Sequence, residues 1–153
     1  MILKLSIKLI AFSAALFYFA AAPKASEIEF VLDAVSHHVN AKSQFHEEHN
    51  AIGIGFKNVE LMTFINSYGV RSYAGDINFQ HPLIDDHLWV GVKVGAAYGY
   101  GGIGRYPDLL PFVAPYVKGY TGPVGLSLMA IPAVGDQADA VIVFMARFRI
   151  KME

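Results

Sequence analysis

The sequence predicts an all-β protein, an eight-stranded antiparallel transmembrane β-barrel. Short apolar segments of roughly seven to twelve residues recur between turn residues, close to the ~10-residue strands of membrane barrels. Beyond residue 25 the chain has no run of 18 consecutive apolar residues, so no transmembrane helix is expected there. Hydrophobic residues make up 54% of the chain and charged residues 16%, a balance that excludes a disordered protein.

The first 25 residues are predicted to be a secretory signal peptide. Lys4 and Lys8 form a basic start, and an apolar run over 9–22 is followed by small residues. An uncleaved N-terminal anchor is the alternative for this segment. The barrel is therefore expected to occupy residues 26–153 of an exported protein.

The predicted strands follow one another with short connections. They cover residues 28–38, 51–56, 59–65, 70–79, 88–98, 112–118, 124–131 and 138–150. The longer connections are predicted over 39–50, 80–87, 99–111 and 132–137. On the first strand, residues 29, 31, 33, 35 and 37 are expected to share one face, because side chains alternate along a strand.

Composition excludes several kinds of site. The net charge of −1 gives no electrostatic footprint for nucleic acid. The absence of cysteine excludes disulfides, thiolate chemistry and Cys-based zinc sites. His37, His38, His46 and His49 raise the question of a metal site, but the acidic segment that carries the last two suggests no firm ligand geometry.

Two polar clusters are expected to meet at one rim of the barrel. Ser36-His37-His38 closes the first strand, and Asn66-Ser67 follows the third. Odd-numbered strands of an up-and-down barrel run in the same direction, so these two ends converge. For Asn66 and Ser67, ordinary turn chemistry is an equally good explanation.

The chain resembles the PagP family of outer-membrane lipid A palmitoyltransferases. Residues 64–68, Phe-Ile-Asn-Ser-Tyr, are similar to that family's Phe-Lys-Asp-Ser-Trp, and the order of shorter matches agrees over most of the chain. Those matches are His81-Pro82-Leu83, a stretch from Leu109-Leu110-Pro111 to Gly122-Pro123-Val124, Ile131-Pro132, and Met145-Ala146-Arg147-Phe148.

The resemblance implies transfer of a palmitoyl-like chain from a phospholipid to lipid A, with the acyl chain in a pocket inside the barrel. It implies an outer-membrane monomer without a cofactor. It also implies roles for five residues. The catalytic positions are His38, Ser67 and Asn66, and the substrate-binding positions are Pro132 for lateral lipid entry and Ile77 for the pocket floor. Independently of the resemblance, Arg71 and Arg105 are expected to bind lipid phosphates at the rim, because guanidinium groups pair well with phosphate.

Asn66 departs from the family, which has an aspartate there. Aspartate beside a working histidine fixes its tautomer, although some enzymes use asparagine for this purpose. Asp33, Glu47 or Glu48 are the candidates to supply the missing charge. Two alternatives stay open: an inactive lipid-binding barrel of the same fold, and a soluble periplasmic barrel that binds a small apolar ligand.

Overall fold

A computed structural model describes residues 27–39, 44–102, 106–132 and 140–152. Eight strands close into a barrel in which each strand pairs with its sequence neighbour and the last with the first. All of these pairs are antiparallel, so the predicted eight-stranded antiparallel barrel is confirmed. The expected signal peptide over 1–25 lies outside the described residues. No helix in the described ranges is long and apolar enough to cross a membrane.

The strand bounds agree closely with the prediction for five of the eight strands. The strands are β1 Glu27–Val39, β2 Ile52–Phe56, β3 Val59–Ile65, β4 Arg71–Ile84, β5 Leu88–Tyr98, β6 Leu109–Thr121, β7 Val124–Ile131 and β8 Ala140–Lys151. The predictions of connections over 80–84 and 109–111 were wrong, because β4 and β6 extend through these residues.

Pro82 explains why β4 is longer than predicted. The Asn78 N–H donates to the Asn58 carbonyl at 2.7 Å, so even-numbered residues of β4 direct their backbone polar groups toward β3. Because β3 begins at Val59, opposite Ile77, the Pro82 nitrogen points past the start of β3. A proline there removes no ladder hydrogen bond, so the strand continues through it.

A β-bulge in β1 reverses the predicted faces of its second half. The pairing with β8 shifts register between Val31 and Asp33, and the Asp33 carboxylate accepts the Ala34 N–H at 2.8 Å. The extra residue moves the alternation by one position. Ser36 and His38 therefore face the barrel interior, and the prediction that placed 29, 31, 33, 35 and 37 on one face was wrong.

The barrel interior has two chemically different halves. The half nearest residues 27 and 151 holds a buried ion-pair network, formed by Glu29, Glu60, Asp76, Lys93, Lys118 and Arg147. The other half, here called the loop half, holds an apolar layer. Its inward side chains include Val31, Ala34, Met62, Phe64, Phe112, Met129, Ile131, Val141, Val143 and Met145.

The outer surface of the barrel is apolar. Large hydrophobic side chains stay exposed on several strands, among them Leu32, Ile52, Leu61, Tyr73, Ile77, Tyr98, Val113, Leu126 and Phe144. The buried polar side chains lie inside the barrel and the exposed apolar side chains outside, which is the reverse of the distribution in a soluble protein. This distribution matches a barrel whose outer face meets lipid.

Candidate functional site

Residues 44–50 fill a gap in the wall at the loop end of the barrel. The ladder between β1 and β2 stops at Val31, although β1 continues for eight more residues to Val39. Beyond that point the Ser36 N–H donates to the Glu47 carbonyl at 2.8 Å, and the Ile65 N–H donates to the His49 carbonyl at 2.7 Å. The segment therefore joins β1 to β3, and it unites the two predicted polar clusters on one rim as expected.

His38 lies on the inner side of this rim. Its side chain is 6% exposed, whereas that of the neighbouring His37 is 70% exposed on the outer side. The His38 ring stacks on Phe45 with a centroid separation of 4.1 Å. Its Nδ1 lies 3.9 Å from Glu47 Oε1, which is too far for a hydrogen bond but close enough for Glu47 to stabilise a protonated ring. The same oxygen lies 3.6 Å from Nδ1 of His37.

Asn66 is committed to the turn between β3 and β4. It is fully buried, and its Nδ2 donates to Ser72 Oγ at 3.0 Å and to the Gly99 carbonyl at 3.2 Å. Its Oδ1 accepts the N–H groups of Tyr68 and Val70 at 2.9 and 3.1 Å. These four bonds use the full capacity of the amide. These bonds give Asn66 a structural role in the turn, the alternative expected from its sequence, and its catalytic role stays a prediction.

Ser67 lies half-buried on the same turn. Its carbonyl accepts the His46 N–H at 2.9 Å, which ties the turn to the segment 44–50. The Phe45 ring contacts both His38 and Tyr68, with a centroid separation of 5.7 Å from the latter. Ser67 and His38 thus share the rim, where Phe45 links His38 to Tyr68, the neighbour of Ser67.

The predicted substrate-binding residues fall in different places. Arg71 begins β4 and is exposed at the loop end, and Pro132 directly follows β7 at the same end. Arg105 lies outside the described residues. Ile77 is 49% exposed on the outer face, so the prediction that it bounds a pocket inside the barrel was wrong.

The structure also contains a serine–histidine pair that sequence reasoning missed. Ser36 Oγ lies 2.7 Å from His49 Nε2, and His49 Nδ1 lies 2.6 Å from the Ile65 carbonyl oxygen. Because a carbonyl only accepts, Nδ1 carries the proton and Nε2 accepts from the Ser36 hydroxyl. Burial lowers the pKa of His49 below its usual value, which keeps the ring neutral.

Among the described residues, the pairing of β6 with β7 covers only the part of β6 nearest the turn at Gly122. Pairing ends at Tyr116 and Met129, although β6 continues to Leu109. The Tyr120 N–H donates to the His87 carbonyl on the β5 side at 2.8 Å, so odd-numbered residues of β6 direct their backbone polar groups toward β7. Pro115 is the next such residue, and it has no N–H to continue the ladder.

Pro111, four residues before Pro115, also lacks a backbone N–H on the side of β6 that faces β7. The two prolines therefore remove two donors from the edge that faces β7. Sequence reasoning singled out Pro132 alone for lateral entry, because the direction of a proline nitrogen depends on the strand register.

Within the described ranges, no group of three or more His, Cys, Asp or Glu side chains is arranged to hold a metal ion.

Comparisons with known proteins support the fold alone. No protein-family model matches this chain, and no curated protein matches it. The barrel is similar to a solved structure described as the solution NMR structure of de novo designed TMB2.3, with a TM-score of 0.53 and 12% sequence identity. The similarity covers 84% of this chain and 96% of that one.

Proposed function

We propose that this protein is an outer-membrane acyltransferase, similar to the PagP family, that moves an acyl chain from a phospholipid to lipid A or a related glycolipid. The observation that carries the proposal is the apolar layer of the loop half, which lies directly below the rim of His38 and Glu47. The substrates would be the only partners required, and the protein would act as a monomer without a cofactor.

The exposed apolar surface supports insertion into a membrane. Side chains such as Leu61, Tyr73 and Leu126 are each more than half exposed on the outer face. In water they would form an unfavourable continuous patch, whereas a closed barrel satisfies its backbone groups and can present such a surface to lipid. Solubility that depends on detergent would distinguish this placement from a soluble apolar-ligand barrel.

The loop half has the character of a site for an acyl chain. Inward side chains such as Phe64, Phe112 and Val141 are only partly buried, and we infer that an acyl chain would lie against the apolar surface that they leave exposed. The apolar layer extends along β8 from Val141 down to Arg147 of the ion-pair network. This stretch of strand is roughly 20 Å long, which corresponds to a depth of about 15 Å along the barrel axis at the usual strand tilt. The ion-pair network closes this space from below, because an acyl chain cannot replace paired charges without a large energetic cost.

The place where the described pairing of β6 with β7 ends is the proposed lateral route for the acyl chain. Pro115 and Pro111 remove ladder donors at the level of the apolar layer. A lipid in the surrounding leaflet would pass its acyl chain between the two strands, so that its head group stays at the rim. Arg71 would contact phosphate there, and Arg105 is assigned the same role from the sequence.

His38 is the candidate base for direct transfer. Its ring would take the proton of the acceptor hydroxyl as oxygen attacks the acyl carbonyl, while Glu47 stabilises the imidazolium. The alkoxide of the lysophospholipid leaves and receives that proton. Ser67 lies on the same rim, and its role would be to bind the acceptor.

The test is transfer of a labelled acyl chain from phospholipid to lipid A by the refolded full chain in detergent. We expect His38→Ala to reduce the rate by about 10²–10⁴-fold, the usual contribution of a general base. His87→Ala is the matched control, because this exposed histidine lies in the turn between β4 and β5, at the opposite end of the barrel. If the wild type transfers no more label than the His38→Ala variant, the proposal is wrong.

A non-enzymatic lipid-binding barrel is the second candidate function. It is favoured by Asn66, which occupies the position of the family's aspartate and whose side-chain amide forms four hydrogen bonds in and around the turn. This candidate predicts that the protein binds labelled phospholipid with no transfer to any acceptor. The same assay separates the two functions.

A further inference from the structure

The geometry points to Ser36 as a nucleophile that carries the acyl chain covalently, with His49 as its general base. This inference rests on the proposed function and changes its route from direct transfer to two half-reactions. Ser36 Oγ and His49 Nε2 are 2.7 Å apart, within the range required of a nucleophile and its base.

The orientation of His49 is fixed from its other side. Nδ1 donates to the Ile65 carbonyl at 2.6 Å, which selects the tautomer whose Nε2 lone pair faces Ser36. In serine hydrolases a carboxylate supplies this third group. Here a backbone carbonyl supplies it, and the backbone bonds of residues 44–50 hold the ring in place from both sides.

Ser36 lies where the carbonyl of a bound acyl chain would be. Its side chain faces inward between those of Ala34 and His38. On the neighbouring strand its partner is Val143, which belongs to the apolar layer. The hydroxyl is thus at the boundary between the polar rim and the space proposed for the acyl chain.

In the first half-reaction, Ser36 Oγ forms a bond to the acyl carbonyl carbon as its proton passes to His49 Nε2. The ester bond of the phospholipid then breaks, and the leaving alkoxide takes the proton from His49 to give the lysophospholipid. In the second, the acceptor hydroxyl attacks the acyl-serine ester and gives its proton to His49. The Ser36 oxygen leaves and regains that proton, so no co-reactant is needed.

His38 would then have a different task. It lies two residues from Ser36 on the same inward face, so its ring is a polar group beside the acyl-serine ester. It would hydrogen-bond the acceptor instead of serving as its base. Loss of His38 would therefore reduce transfer to lipid A without preventing acylation of Ser36.

The test uses the refolded full chain in detergent with a long-chain alkyl fluorophosphonate, which phosphonylates activated serines with loss of fluoride. Peptide mass spectrometry identifies the modified residue. We expect an adduct on Ser36 in the wild type and none in Ser36→Ala. Ser127→Ala is the matched control and should keep the Ser36 adduct. Ser127 is also a buried serine of the barrel interior, but its hydroxyl accepts from Arg147 Nε at 2.7 Å, and a guanidinium cannot act as its base.

His49→Gln separates catalysis from structure. A glutamine amide can donate to the Ile65 carbonyl and accept from Ser36, but it cannot take a proton. We expect labelling to slow by about 10²-fold or more. Labelling at the wild-type rate in this variant, no adduct, or an adduct on another serine would each overturn the inference, and circular dichroism verifies that each variant is folded.

Transfer to lipid A is measured in the same samples, so that the two proposals can fail separately. If Ser36→Ala still transfers acyl chains, the covalent route is wrong and the proposed function stands. If Ser36 is labelled but no acyl chain reaches lipid A in any sample, the nucleophile stands and the proposed function is wrong.

Discussion

Arg147 Nη1 lies 2.7 Å from Glu60 Oε2 in the middle of the barrel, and both side chains are at most 3% exposed. The same guanidinium lies 3.1 Å from Glu29 Oε2, so one arginine joins β8 to carboxylates on β1 and β3. The other charges of the network are paired as well: Lys93 contacts Glu60 at 2.6 Å. Buried charges that lose a partner are costly, so this network fixes the floor of the apolar space.

Replacing Arg147 by methionine is expected to lower the free energy of unfolding by about 3–5 kcal/mol, because two carboxylates lose a buried partner. Lys151→Met is the matched control. Lys151 and Asp86 are also 2.7 Å apart but are half-exposed, so this loss should cost less than about 1 kcal/mol. Urea unfolding of the refolded proteins measures both changes, and equal losses would contradict the assignment of the floor.

The number of strands and the closure of the barrel were predictable because they follow from local sequence, in which short apolar segments recur between turn residues. Segments such as 59–65, 88–98 and 124–131 are apolar stretches between turn residues, and their predicted bounds agree with β3, β5 and β7. The faces of β1 were not predictable, because the bulge after Val31 depends on pairing with β8. The prolines of β4 and β6 led to the wrong prediction of connections over 80–84 and 109–111 for a similar reason. Whether a proline removes a ladder hydrogen bond depends on which neighbouring strand its nitrogen faces.

Part of the candidate site was predictable. The topology placed His38 and Ser67 on one rim, and the structure agrees. The pairing of Ser36 with His49 was not predictable, because the bulge turns Ser36 inward and the segment 44–50 carries His49 into the wall. Neither the bulge nor the docking of the segment has a sequence signature. The sequence therefore offers no reason to choose His49, a histidine within a polar run, as a catalytic base.

Asn66→Asp tests whether the family's aspartate would work here. The resemblance predicts a gain of activity, whereas the structure predicts a loss of stability. A carboxylate cannot donate to the Gly99 carbonyl at 3.2 Å or to Ser72 Oγ, and each lost buried bond costs about 1–3 kcal/mol.

We therefore expect Asn66→Asp to lower the urea midpoint and to leave transfer no faster than in the wild type. Asn50→Asp is the control, since Asn50 is exposed and aspartate tolerates its positive φ of 43°. A faster enzyme of unchanged stability would show that Asn66 belongs to the catalytic machinery after all.

A cross-link between β6 and β7 tests the proposed lateral route. Pro115 and Ala130 would form the next pair beyond Tyr116 and Met129, and both face outward. Since the chain contains no cysteine, Pro115→Cys with Ala130→Cys would form a single defined disulfide.

Oxidation of this variant is expected to abolish most of the acyl transfer, and a reducing agent should restore it. The control pair is Val117→Cys with Leu128→Cys, which lies where the two strands are already paired. If the cross-link leaves transfer unchanged while the disulfide is complete, lipid does not enter between β6 and β7.

The buried environment of His49 makes the docking of residues 44–50 depend on pH. Burial is the largest influence and lowers its pKa. The nearby His46 lowers it further, whereas the Ile65 carbonyl, Asp33 and Glu47 raise it. The pKa in the docked segment is thus below the value of about 6.5 that the ring has when exposed to water. The undocked state binds more protons, so docking of residues 44–50 is strongest above this value.

As the pH falls below about 6.5 toward the lowered pKa, this stabilisation is lost, since a protonated Nε2 no longer accepts from Ser36. Protection of the Ile65 and Ser36 amides from hydrogen exchange, corrected for intrinsic rates, should fall over this range, because both bond to carbonyls of the segment. The His49→Gln variant should show a flat profile, since glutamine does not titrate. A wild-type profile equally flat between pH 7 and 5 would mean that protonation of His49 does not release the segment.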